Sequence, residues 1–133
     1  IIHFTDWVVG HAHLVMFGVF GFWILGVMTD LWPKLVGRDW YSHKLNEYHF
    51  WLTAIGTLVM FVDLMAAGLV QGFLWRGLAP WEDSITFSIP FWMIRSVTGA
   101  MIFFAQFLFV YNMWRTAKAP AVERSPELQP QTA

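Results

Sequence analysis

Between Asp6 and Asp30 the chain runs for 23 residues whose only titratable side chains are His11 and His13. About 20 apolar residues suffice to cross a bilayer as a helix. In lipid the backbone must satisfy its own polar groups, and a helix does so within one segment. Two further stretches of the same kind follow. One carries Asp63 as its single interior charge, and the other has Arg95 near its start. The pattern predicts an all-α membrane protein with transmembrane helices at about 7–31, 47–73 and 89–114. Composition agrees: 57% of residues are hydrophobic and 13% charged, where a soluble domain carries about 25% charged residues. A net charge of −1 offers no basic surface to nucleic acid. The absence of Cys excludes disulfides, iron–sulfur clusters and thioether attachment of heme by this chain.

Residues 1–116 read as one membrane domain and 117–133 as a disordered tail, Pro- and Glu-containing and without a hydrophobic run. Trp32-Pro33 is expected to end the first helix at interface depth. Residues 34–46 and 76–88 are expected as loops, with Pro90 in the first turn of the third helix. Gly68 and Gly72, four apart, offer close approach to a neighbouring helix. Lys34, Arg38 and Lys44 lie in the first loop and Arg115, Lys118 and Arg124 near the C-terminus. By the bias of basic residues, both regions are cytoplasmic and the N-terminus is on the outer side. No secretory signal is visible. With no initiator Met, the chain reads as the C-terminal piece of something longer or one product of a split gene.

His11 and His13 stand two residues apart in a helix, about 200° around its axis. They point to nearly opposite sides and cannot share one metal ion. Ionisable residues inside a membrane are functional by default, and neutral imidazole is an axial ligand for heme iron. Two hemes, one on each side, would set their irons on the order of 10–15 Å apart. The bland alternative is a pair of structural histidines bonded to carbonyls or neighbouring helices. His3 and Asp6, just before the helix, are ordinary polar residues or contacts to a heme propionate or cation. Arg76 returns to the same face and suits a carboxylate, or is simply solvated. Asp63 is open between a proton relay, a pairing with Arg95 and a bond to a neighbouring helix. Arg95 can also snorkel outward. His43 and His49 are expected to pack at the opposite interface. The Met and aromatic stripes are lipid-facing or core.

His3-Phe4-Thr5-Asp6-Trp7 followed by Gly10-His11-Ala12-His13 resembles the tenth helix of the catalytic subunit of heme-copper oxidases, most of all the cytochrome cbb-type. The likeness continues through Pro33-Lys34-Leu35-x-Gly37-Arg38, His49-Phe50-Trp51-Leu52, Gly68-x-x-Gln71-Gly72-x-x-Trp75-Arg76 and Tyr111-Asn112-x-Trp114-Arg115. It implies the last three of twelve transmembrane helices of that subunit, in a bacterial inner membrane. By the same resemblance His11 would be the proximal ligand of the high-spin heme iron at the reaction centre. His13 would be an axial ligand of the low-spin heme iron. His3 would lie near propionates and a divalent cation, and Arg76 where basic residues meet propionates. Heme b is the expected type, and copper B would be held by helices outside this chain. The implied reaction is reduction of oxygen to water with electrons from membrane-anchored cytochrome c subunits, coupled to proton translocation. The implied partners are the remainder of the catalytic subunit, those cytochrome c subunits and lipid. Gly10-His11-Ala12-His13-Leu14-Val15-Met16-Phe17-Gly18 and Ala67-Gly68-Leu69-Val70-Gln71 are also similar to nitric oxide reductases. A non-catalytic membrane assembly subunit is the rival from another class.

Overall fold

The computed structural model describes residues 1–118, which form three long helices and, among the described residues, no strand. The first runs from Asp6 to Val36. It comprises α1 (Asp6–His13), a π-helical segment (Leu14–Gly21) and α2 (Phe22–Val36). The others are α3 (His43–Arg76) and α4 (Trp81–Lys118). All three are long and apolar enough to cross a membrane, at 31, 34 and 38 residues. Ala117 and Lys118 continue α4, and the rest of the expected tail lies outside the described residues.

The helices overrun their expected limits, and the prolines explain how. Pro33 does not end the first helix, which continues to Val36. Proline lacks an N–H, so it leaves the carbonyl four residues back without its helical donor. That carbonyl belongs to Thr29, and the Trp40 indole donates to it at 3.0 Å. The helix stops at Gly37, whose φ of 64° is left-handed, a conformation glycine enters without steric cost. The loop expected over 76–88 shrinks to Gly77–Pro80, because α4 starts at Trp81. Glu82 and Asp83 fall in its first turn, where carboxylates oppose the positive end of the helix dipole. Pro90 consequently lies inside α4 and not in its first turn.

α3 is the middle element. Glycines set its contact with the first helix. A Cβ on Gly68 would come within 2.6 Å of the Trp7 Cβ, and one on Gly72 within 2.7 Å of an Ile1 side-chain carbon. Gly10 answers from α1, its Cβ position 3.0 Å from the Leu64 Cβ. On another face of α3, Gly56 lies under Ile102 of α4, where a Cβ would meet Cγ1 at 2.7 Å. Met60, Leu64 and Ile102 form the buried apolar core, with Phe17 packed against it.

Polar clamps close the two ends. At one, the Asp6 Oδ2 accepts from the Gln71 Nε2 at 2.7 Å and the Trp92 Nε1 at 2.8 Å. The Gln71 Oε1 in turn accepts from the Asp6 backbone N–H. At the other, the Asn112 side chain donates to the Ser42 carbonyl and the Asn46 Oδ1 and accepts from the Ser42 N–H. Antiparallel helices in lipid gain little from apolar contact alone, so close packing and interhelical hydrogen bonds carry the association.

Candidate functional site

Thr5 opens α1 as its N-cap, the hydroxyl accepting from the Trp7 N–H at 3.4 Å. From there α-helical geometry holds through His13, so the angular separation of the two histidines applies as read. Gly10 supplies the reference direction. It is buried against α3. At 100° per residue His11 lies about 100° to one side of Gly10, and His13 about 60° to the other. The two imidazoles thus emerge on opposite flanks of the α1–α3 contact, and both are exposed on the surface of the chain.

Each ring is held by its own helix. His11 stacks on Trp7, centroids 5.5 Å apart and planes 7° from parallel. The His13 Nδ1 lies 2.8 Å from the Val9 carbonyl oxygen. A carbonyl only accepts, so Nδ1 is the donor of this bond, and Nε2 is the ring nitrogen turned away from it. Metal-ligating histidines characteristically donate their second ring nitrogen in this way. The π-helical segment begins directly after His13. Such segments often accompany functional sites, and here it has no buried residue of its own.

The remaining expected residues gather at the Asp6 end. Ile1 and Trp7 lie against Gly72 and Gly68, which brings the leading segment, with His3 and Asp6, to the last turns of α3. His3 is exposed and stacks on Phe4, centroids 4.8 Å apart. Arg76, the last residue of α3, is exposed. The Asp6 carboxylate is engaged by Gln71 and Trp92. Sequence reasoning missed those two, and it missed Ser88, whose hydroxyl accepts from the Gln71 Nε2 at 2.8 Å. The available signal was a primary amide, Gln71, standing between two close-packing glycines. Among the described residues no three His, Cys, Asp or Glu side chains converge on a point that could hold a metal ion.

Two further titratable residues of the sequence analysis, Asp63 and His49, lie inside the bundle. The ion pairs among the described residues are Lys34–Asp30 at 2.6 Å and His43–Asp39 at 3.6 Å, so Asp63 and Arg95 do not pair directly. Asp63 is 8% exposed, and its Oδ2 has no hydrogen-bond partner. His49 packs between α3 and α4. It is buried, stacked on Phe109 at 4.6 Å, with Nε2 3.3 Å from the Gln106 Oε1. The polar partner on α4, Gln106, makes that burial tolerable.

The chain is similar to known proteins over most of its length. The model of the family described as "Cytochrome C and Quinol oxidase polypeptide I" matches residues 1–102. The cbb3-type cytochrome c oxidase subunit CcoN1 of Stutzerimonas stutzeri is 33% identical over 125 residues, covering 88% of this chain and 26% of the relative. Cytochrome c oxidase subunit 1 of Rhodobacter capsulatus is 32% identical, covering 89% and 24%. A nitric oxide reductase subunit of Stutzerimonas stutzeri is 22% identical, covering 93% and 28%. The chain spans about a quarter of the length of these curated relatives.

Proposed function

We infer, because the chain belongs to the cytochrome c and quinol oxidase polypeptide I family, that it forms part of the catalytic subunit of a respiratory terminal oxidase. The reaction is reduction of oxygen to water, with electrons from cytochrome c and coupled proton translocation. One observation carries the reading: a single helix turn presents two imidazoles on opposite flanks of its packing contact, and the His13 Nδ1 is already bonded to the Val9 carbonyl. That arrangement fits one metal ligand for each of two cofactors.

In this reading His13 holds the low-spin heme iron and His11 the high-spin heme iron, with copper B held by helices outside this chain. The hemes, when bound, supply the redox-active iron that electron transfer and oxygen reduction require. The chain's own residues position the ligands. Gly10, wedged against Leu64, fixes the rotation of α1 about its axis and so the direction of both imidazoles. Trp7 restrains the His11 ring plane by stacking. The Asp6–Gln71–Trp92 clamp fixes how far α1 slides along α3 and α4. His3 and Arg76 lie at the end where propionates or a cation would sit, with the N-terminus on the outer side of a bacterial plasma membrane and the C-terminus cytoplasmic. Membrane-anchored cytochrome c subunits and the rest of the catalytic subunit are the partners.

The nitric oxide reductase relative, alike over 93% of this chain, supports nitric oxide reduction as a second reading. A reduced-minus-oxidised visible spectrum of the native complex isolated through this chain, with and without carbon monoxide, tests the assignment. Wild type should show a low-spin heme and a carbon monoxide-binding high-spin heme. His11→Ala should remove the second and keep the first, and His13→Ala should remove the low-spin band. Retention of both hemes in both variants would overturn the reading in favour of a non-catalytic assembly subunit. Copper in the purified complex supports oxygen reduction, and its absence supports nitric oxide reduction.

A further inference from the structure

Asp63 lies in the middle of α3 with nine-tenths of its surface covered by this chain alone. Its Oδ2 is one of two buried side-chain polar atoms among the described residues that have no partner, the other being the Thr57 hydroxyl. A buried carboxylate without partners is among the costliest groups a fold can hold, and inside a membrane there is no bulk water to relieve it. Its own helix cannot supply a donor, because interior backbone N–H groups of α3 are already spent on the helix.

Its surroundings are asymmetric. Seven residues separate Gly56 from Asp63, which sets both within about 20° of one stripe on α3. That stripe faces α4, since Gly56 lies under Ile102. Going from Asp63 toward the Asn112 end, the next residues on this face are Met60 and Gly56, sealed by Ile102 in the apolar core. The buried Thr57 side chain in this stretch is turned toward the first helix, near Gly18, and the next polar side chain beyond is Thr53, roughly 15 Å from Asp63 along the axis by its ten-residue offset and occupied by Gln106. By the same seven-residue offset from Ile102, Arg95 of the antiparallel α4 stands at about the level of Asp63, and in the other direction the buried Ala67 and Gly68 follow on α3. Beyond them Gln71 joins Asp6 to Ser88. The apolar core closes one side of Asp63, and a polar, hydrogen-bonded cluster stands on the other.

We propose that Asp63 is a proton-exchanging site, a buried carboxyl that takes up and releases a proton through water lying between its Oδ2 and the Asp6–Gln71–Ser88 cluster, so that it communicates with the Asp6 end of the bundle only. Water delivers the proton to Oδ2 as carboxylate becomes carboxyl, and release reverses that step with no other bond changed. The Met60–Leu64–Ile102 core prevents the same proton from reaching the His49–Gln106–Thr53 group on the far side. With the Asp6 end outermost, as the functional reading has it, exchange is with the outer face.

The test is infrared difference spectroscopy of the assembled complex, recorded between acid and neutral pH and again between its oxidised and reduced forms. The pH difference should contain a carbonyl band of a protonated carboxyl that disappears in Asp63→Asn and reappears at a shifted frequency in Asp63→Glu. A band unchanged in both variants would overturn the proposal. Asp63→Glu decides the matter should Asp63→Asn fail to assemble, because a glutamate at position 63 alters the frequency only if that carboxyl is the one observed. The redox difference rests on the oxidase reading, the pH difference does not. Failure of the heme assignment therefore erases the redox signal in every variant while leaving the pH band as an independent test of Asp63.

Discussion

The first helix and α3 have nearly equal hydropathy but opposite relations to the rest of the chain. In the most apolar 18-residue window of the first helix no residue is buried, whereas 44% are in that of α3, at a mean hydropathy of 1.9 for both. α3 turns its polar residues inward: His49, Thr53, Asp63 and Gln71 are buried between neighbours. The first helix turns its histidines outward from this bundle. Hydropathy alone distinguishes lipid depth from water and cannot tell a helix that supports from a helix that presents. The difference teaches that α3 is the support on which the first helix is mounted, with its histidine-bearing turn left accessible to groups outside these three helices.

The comparison breaks most sharply at Gly68. Gly68→Leu would drive a side chain into Trp7, whose Cβ would lie 2.6 Å from the first added carbon. Overpacking of a tight contact costs about 3 kcal/mol or more. The expected outcome is loss of the first helix from its seat, read as reduced assembly and loss of both heme bands in the isolated complex. Wild-type heme content in that variant would refute the mounting. A smaller effect sharpens the role of the clamps. Gln71→Leu removes the bonds to Asp6 and Ser88, and Asn112→Leu those to Ser42 and Asn46. Each should lower stability by about 1–2 kcal/mol in a detergent unfolding titration. Only Gln71→Leu should also broaden or shift the heme spectrum, because only that clamp anchors the histidine-bearing turn. Equal spectral changes in both would contradict the division of labour. The smallest effect lies in the α3–α4 turn. Leu78 is left-handed at φ 56° and 90% exposed, with the Ala79 N–H bonded back to the Leu74 carbonyl. Leu78→Gly should raise stability by about 1 kcal/mol, without altering the spectrum. A destabilised variant would show that the leucine side chain has a contact outside this chain.

How much was legible follows from range. The histidine pair was legible because two residues in one turn have a relative direction set by helix geometry. The close-packing glycines were legible as a motif, but their partner was not: nothing in Gly68 or Gly72 names Trp7 and Ile1. The helix limits failed where a distant donor intervened, as when Trp40 takes the Thr29 carbonyl that Pro33 leaves free. The Asp6–Gln71–Trp92 clamp joins residues 65 and 86 positions apart, beyond any local pattern.

The sequence by itself determined that three apolar segments cross a membrane as helices and that two imidazoles leave one of them in opposite directions. Both are consequences of backbone hydrogen bonding in lipid and of the helical repeat. Only the tertiary structure decided which face of each helix is covered. It buried Asp63 and His49, engaged Asp6, and left His11 and His13 open. The physical reason is that covering a face depends on which glycines let backbones meet and which polar groups find partners across helices, and those matches are made between residues far apart in the chain.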